Sequence, residues 1–157
     1  MLKVLEKEKK QIILDYCIER FGIDSKIWKE YCWYSGSKNK IYLANTLDLE
    51  RIIPESKGIC VFRLDKSPKP TTNFLQLFGK YITKNYVEIN NANTIKYCRG
   101  EDLILEDNTS IIPGFVLITN KNRFLGCGHW NGKLLKNQLP KSKFCKINQR
   151  KKKEERR

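Results

Sequence analysis

One histidine, one methionine and five prolines in 157 residues remove several kinds of chemistry at the outset. The lone imidazole, His129, cannot by itself build a zinc site, and no carboxylate stands near it in sequence to orient it as a general base. Six cysteines are present, Cys17, Cys32, Cys60, Cys98, Cys127 and Cys145, without a C-x-x-C pair or a Cys–His spacing typical of zinc ligands. Most sit in apolar runs, where cysteine acts as a small hydrophobe. The expectation is free thiols in a reducing cytoplasm, with no metal and no cofactor. No apolar window approaches the eighteen residues that a membrane helix needs. The first ten residues carry charges every few positions and do not read as a signal peptide. There is no internal repeat.

Acidic residues are scarce in one place only. From position 113 to 157 there are 13 Lys/Arg against 2 Asp/Glu, whereas positions 1–112 carry 18 against 15, so the formal net charge of +14 belongs mostly to the last third. A concentrated positive field attracts polyanions and is the first electrostatic footprint of a nucleic-acid binder. With 40% hydrophobic residues and 17 aromatics, the chain has material for a substantial core at the size of one domain, or of two small ones sharing a core.

Leu2, Leu5, Ile12, Ile13, Tyr16, Cys17 and Phe21 recur at helical spacing, and Gly22 reads as the stop. Asp24 and Ser25 can cap a shorter helix as far as Tyr31. The aromatics Trp28, Tyr31, Trp33 and Tyr34 around it read as a packed cluster, with base stacking as the alternative. Residues 40–44 and 59–64 pattern as strands, with a brief helix between them over 47–53. Pro68 and Pro70 mark an extended link, and Thr71-Thr72 caps a helix with Phe74, Leu77, Phe78 and Tyr81 on one face. The second unit reads strand (86–89), short helix (94–99) ended by Gly100, strand (101–105), strand (114–118) and its return from Arg123. Asn131-Gly132 is expected to form a type I′ turn of a further hairpin. Gly126 and Gly128 suggest a bulge or a close approach of another group. The last ten residues, NQRKKKEERR, contain no apolar side chain and read as a basic disordered tail.

These features give an α+β chain in three parts: an N-terminal α+β module over 1–83, a mixed-sheet pseudo-barrel over 84–147, and the tail over 148–157. The second part resembles a PUA domain, specifically the PUA-like tail of Sun/Fmu-type RNA cytosine-5 methyltransferases. The likeness is carried by Asn85-Tyr86-Val87-Glu88-Ile89, Tyr97-Cys98-Arg99-Gly100-Glu101, Gly114-Phe115-Val116-Leu117-Ile118, Leu125-Gly126-Cys127-Gly128, Gly132-Lys133-Leu134-Leu135-Lys136-Asn137 and Pro140-Lys141. Small PUA-containing ribosome-biogenesis factors are similar. The resemblance implies an RNA-holding module. The chain has no G-x-G-x-x-G turn for S-adenosylmethionine, and none of its cysteines follows a proline, as the family's reactive one does. Catalysis is therefore not expected.

Lys133, Lys136, Lys141 and Lys143 follow one another without an acid and are the expected phosphate contacts; a merely solvated face is the alternative. The resemblance implies that Gly100 lets backbone approach RNA, with Arg99 available for phosphate, whereas an ordinary helix cap explains Gly100 equally well. Trp130 stands either to stack on an unpaired base or to pack across strands, and Asn137 either to reach a base edge or to close a turn. The expected partner is RNA, transfer or ribosomal, with a separate RNA methyltransferase as a possible second partner, and no membrane.

Overall fold

The computed structural model describes residues 2–45, 58–106 and 110–145. The expected helix at 47–53 and the basic tail lie outside these residues. The chain folds as an α+β protein with two sheets. Lys3–Val4 (β1), Tyr31–Ser35 (β2), Lys40–Asn45 (β3), Ile59–Leu64 (β4) and Pro68–Pro70 (β5) form an antiparallel sheet in that order. The two prolines thus form an edge strand, where a missing N–H costs least.

Helix α1 spans Lys7–Phe21. It starts later than its apolar spacing suggests, because residues Lys3–Val4 pair with β2 and Leu5 tucks into the core from outside the helix. Gly22 ends it in the left-handed conformation (φ 68°), its N–H bonding back to Cys17 and Ile18. Asp24 caps a 3₁₀ segment, Ser25–Glu30, by accepting from the Lys26 N–H at 2.9 Å. Trp28 and Trp33 are both buried and pack edge-on, so these two indoles belong to the core and offer no face to a base, whereas Tyr31 and Tyr34 are half-buried.

Helix α2, Thr72–Phe78, is capped by the Thr71 hydroxyl on the Phe74 N–H. It buries Phe74, Leu75 and Phe78, while Leu77 stays 49% exposed. The buried face is therefore rotated from the one expected, because α2 must satisfy two sheets at once: Phe74 meets Phe62, and Gly79 just beyond the helix sits against the Phe124 ring.

The second sheet is mixed. Tyr86–Glu88 (β6) runs parallel to Gly114–Asn120 (β7), which pairs antiparallel with Arg123–Trp130 (β8), and β8 pairs with Leu135–Asn137 (β9). Helix α3, Asn91–Cys98, follows β6 and starts from an Asn90 side-chain cap. Both faces of this sheet contribute to a core. Leu117 and Cys127 enter one core with α1, α2 and the first sheet. Val116, Ile118, Trp130 and Leu135 enter a second core with Tyr97, Leu103 and Leu139. The two units therefore share a hydrophobic core across position 84.

Two local expectations are corrected. Residues 101–105 form no strand; only Leu103 bridges Leu135, exchanging two backbone bonds of 2.9 Å. The two-residue turn with positive φ at both centres is Lys121 (47°) and Asn122 (63°), between β7 and β8. Asn131-Gly132 instead lies in a four-residue loop, since Trp130 pairs with Leu135 and the Asn131 carbonyl oxygen of the side chain accepts from the N–H groups of Lys133 (2.9 Å) and Leu134 (2.8 Å).

Candidate nucleic-acid interface

Strand β9 and the segment after it carry the expected cations along one border of the second sheet. Lys133 lies in the loop before β9 and Lys136 within it. Lys141 and Lys143 lie in a short 3₁₀ turn, and all four are exposed. Their backbone is held on both sides. Leu103 pairs with Leu135, the Asp102 carboxylate accepts from the Asn137 N–H at 2.8 Å, and the Gln138 N–H donates to Cys127. Pairing the β9 backbone in this way also blunts an open strand edge. Lys143 is tied further, its Nζ donating to Asn73 Oδ1 (2.6 Å) and Gln76 Oε1 (3.2 Å) on α2.

Among the described residues the ion pairs are Lys9–Glu6, Arg63–Asp65 and Lys69–Asp65, so none of these four lysines is neutralised in that way. Lys136 pairs across the strands with His129, whose ring meets Phe115 edge-on at 4.9 Å. Partial burial, then the positive charges of Lys136 and Arg20, push the His129 imidazole below its ordinary pKa. It therefore stays neutral near pH 7.

Arg20 was not legible as part of this region. It reaches over from the end of α1 and donates to the carbonyls of Ile112 (2.6 Å), Pro113 (3.3 Å) and Phe115 (2.6 Å). It fastens the start of β7 to the first unit and adds positive charge beside Lys136. Nothing in its helical spacing marks it, because its partners are backbone oxygens more than ninety positions away.

Three expected contacts are corrected. Trp130 is 2% exposed and packs in the second core, so its ring cannot stack on a base. Asn137 spends its amide inside the protein: Nδ2 donates to the carbonyls of Tyr97 (2.8 Å) and Glu101 (3.0 Å), and Oδ1 accepts from the Leu139 N–H (2.8 Å). Gly100 is the helix stop. Its N–H bonds to Tyr97, and the Glu101 N–H to Lys96, the paired bonds of a Schellman cap. The Phe144 ring also occupies the place where a Gly100 side chain would stand, so packing and the helix cap account for this glycine without a ligand. Arg99, at the end of α3, is exposed.

The glycines of β8 face inward as well. The register slips by one residue at Leu125, and the Tyr97 hydroxyl, bonded to the Cys127 carbonyl at 2.8 Å, lies where a Gly126 side chain would be. The feature of the candidate site on which these residues converge is thus the lysine-bearing border. No group of three or more metal-binding side chains occurs among the described residues.

No curated protein matches the chain. Residues 84–142, a little over a third of the chain, match the family model described as the methyltransferase RsmF PUA domain. The second sheet with α3 and the lysine-bearing border is thus a PUA-like domain similar to the tail of Sun/Fmu-type methyltransferases.

Proposed function

We propose that this chain is a non-catalytic RNA-binding protein that holds structured RNA, transfer or ribosomal, along its lysine-bearing border. It would serve RNA modification or ribosome biogenesis in the cytoplasm. The observation that carries this reading is the border itself: Lys133, Lys136 and Lys141 are exposed and outside any described ion pair, on a backbone fixed by Leu103, Asp102 and the Asn137 amide. Cations on a fixed backbone need only their side chains ordered on a phosphate chain, whereas a free tail must lose backbone conformational entropy as well. The likeness of residues 84–142 to a methyltransferase's PUA domain supports RNA as the polyanion.

Features of the sequence and of Cys127 support the non-catalytic reading. The sequence has no glycine-rich cofactor turn and no Pro-Cys pair. Cys127 is buried among apolar groups, which push its thiol up to about 12, so it is a poor nucleophile. A second reading follows from the family model's name: the chain lends RNA affinity in trans to a separate methyltransferase. Co-purification of a Rossmann-fold enzyme would favour it.

The test is competitive binding of transfer RNA and a DNA duplex of equal charge. Tighter binding of the RNA is expected. Equal or tighter binding of the duplex would reduce the border to a non-specific polyanion patch and refute the proposal.

A further inference from the structure

The face of the second sheet that packs on α2 is not covered to its outer edge. Alternation along β6 turns Tyr86 and Glu88 to this face and Val87 to the other core, and the register sets Tyr86 beside Leu117 and Glu88 beside Thr119. The turn after α2, Gly79–Tyr81, and β6 border the open part of this face. Between them lies a cavity of about 220 Å³ lined by Lys80, Tyr86, Glu88, Thr119, Asn122 and Phe124, among others. That is below the range of drug-sized pockets, and suits one flat heterocycle.

Its chemistry is specific. Tyr86 is 51% exposed, and Phe124 is half-buried, so aromatic surface is offered to a ring. Glu88 is held rigidly, Oε2 accepting from the Thr119 hydroxyl at 2.6 Å and Oε1 from the Lys121 N–H at 2.7 Å. Those bonds, Thr119 first, hold its carboxyl below the usual glutamate range and keep it ionised. Each carboxylate oxygen has a second lone pair and can only accept. Any partner must therefore present donors. Lys80 lines the pocket, and Lys121, whose N–H bonds Glu88, adds a second cationic residue at the neighbouring turn, where a phosphate chain flanking the base would pass.

We propose that this pocket takes one unpaired nucleobase, with Tyr86 as the stacking surface and the Glu88 carboxylate as the acceptor, and that guanine is preferred. Guanine offers adjacent N1–H and N2–H donors that fit the two oxygens together. Adenine and cytosine offer one amino group, and uracil one N–H between two carbonyls that a carboxylate repels. Stacking on an aromatic face with a polar edge read in a pocket is a common mode for single-stranded RNA. The pocket lies on the β6 side of the sheet and the lysine border on the β9 side, so the two contribute separately. The inference rests on the RNA-binding reading above and adds the nucleotide to it.

The test is fluorescence anisotropy at low salt with short oligouridines carrying one central guanine, adenine, cytosine or uracil, alongside transfer RNA. The guanine oligomer is expected to bind roughly tenfold tighter than the uracil one, the discrimination of a good bidentate pair. Glu88→Gln should abolish that preference, and Tyr86→Ala should weaken all four oligomers. Because Glu88→Gln also touches the β7–β8 turn, thermal melting must accompany it; Tyr86→Ala removes a half-exposed ring and is the independent arm. If transfer RNA binds but the four oligomers do not differ, or Tyr86→Ala changes nothing, the pocket proposal is overturned and the border reading stands. If no RNA binds, both fall.

Discussion

Replacing Asn137 by alanine separates a structural residue from an RNA contact. The side chain makes three hydrogen bonds, two to carbonyls at the end of α3 and just beyond it and one from the Leu139 N–H. A net contribution of roughly 0.5–1.5 kcal/mol each would give about 1.5–4.5 kcal/mol for the set. Glu101 is exposed, so water can replace the amide there, which brings the expected loss to about 2 kcal/mol. At this chain length that lowers the melting temperature by roughly 4–8 °C. Asn137→Asp should cost more, because a carboxylate would face the Tyr97 and Glu101 carbonyls. Urea denaturation followed by circular dichroism gives the stability, and RNA affinity is measured well below the melting point. Asn137→Ala should leave that affinity unchanged within about twofold. Unchanged stability with a tenfold loss of RNA affinity would refute the assignment.

Other expectations follow from the same geometry. Gly100→Ala puts a methyl group into the Phe144 ring at φ 90° and should destabilise by about 1–2 kcal/mol, with part of the loss restored by adding Phe144→Ala; additive losses would contradict the contact. Thiol titration of the native protein should label exposed Cys145 quickly and leave Cys17 and Cys127 unlabelled until unfolding, since burial pushes both thiols up to about 12; rapid labelling of either would show that the shared core opens. Glu88 should titrate below ordinary glutamate, and Thr119→Val should raise its midpoint. A depressed carboxyl adds stability above its unfolded pKa and loses it as pH falls through the folded value, so the β7–β8 turn should loosen only in that acid window, as seen by amide exchange at Lys121.

Much of the fold was legible in the residues, for identifiable reasons. Gly22, Asp24, Thr71 and Asn90 act locally, through caps and stops, and each does what its chemistry suggests. The errors arise where distant partners decide. Leu2 and Leu5 share the helical spacing of α1, yet β2 claims the adjoining pair Lys3–Val4. Residues 101–105 have strand composition, but β9 is short and only Leu103 finds a bridge. Asn131-Gly132 is the stronger turn dipeptide, and the tighter turn still falls at Lys121-Asn122, where Glu88 accepts the Lys121 N–H.

The candidate site divides along the same line. Charge density located the lysines, because solvent-facing cations need no partner to be recognised. Composition could not show that Trp130 faces inward, that Asn137 turns back on α3, or that Phe144 lies on Gly100, since each depends on contacts distant in the chain. Glu88 drew no attention as a polar residue on an edge strand. Its place beside Tyr86 in an uncovered part of the sheet appears only once β6 pairs with β7.

The most direct test of the central claim is the salt dependence of transfer-RNA binding for the natural protein and for Lys133→Ala/Lys136→Ala/Lys141→Ala. Each phosphate released from contact removes roughly 0.7–0.9 from the log–log slope, so the triple variant should bind with a slope shallower by about 2–3 and with weaker affinity at low salt. An unchanged slope in a variant that melts like the natural protein would contradict the account.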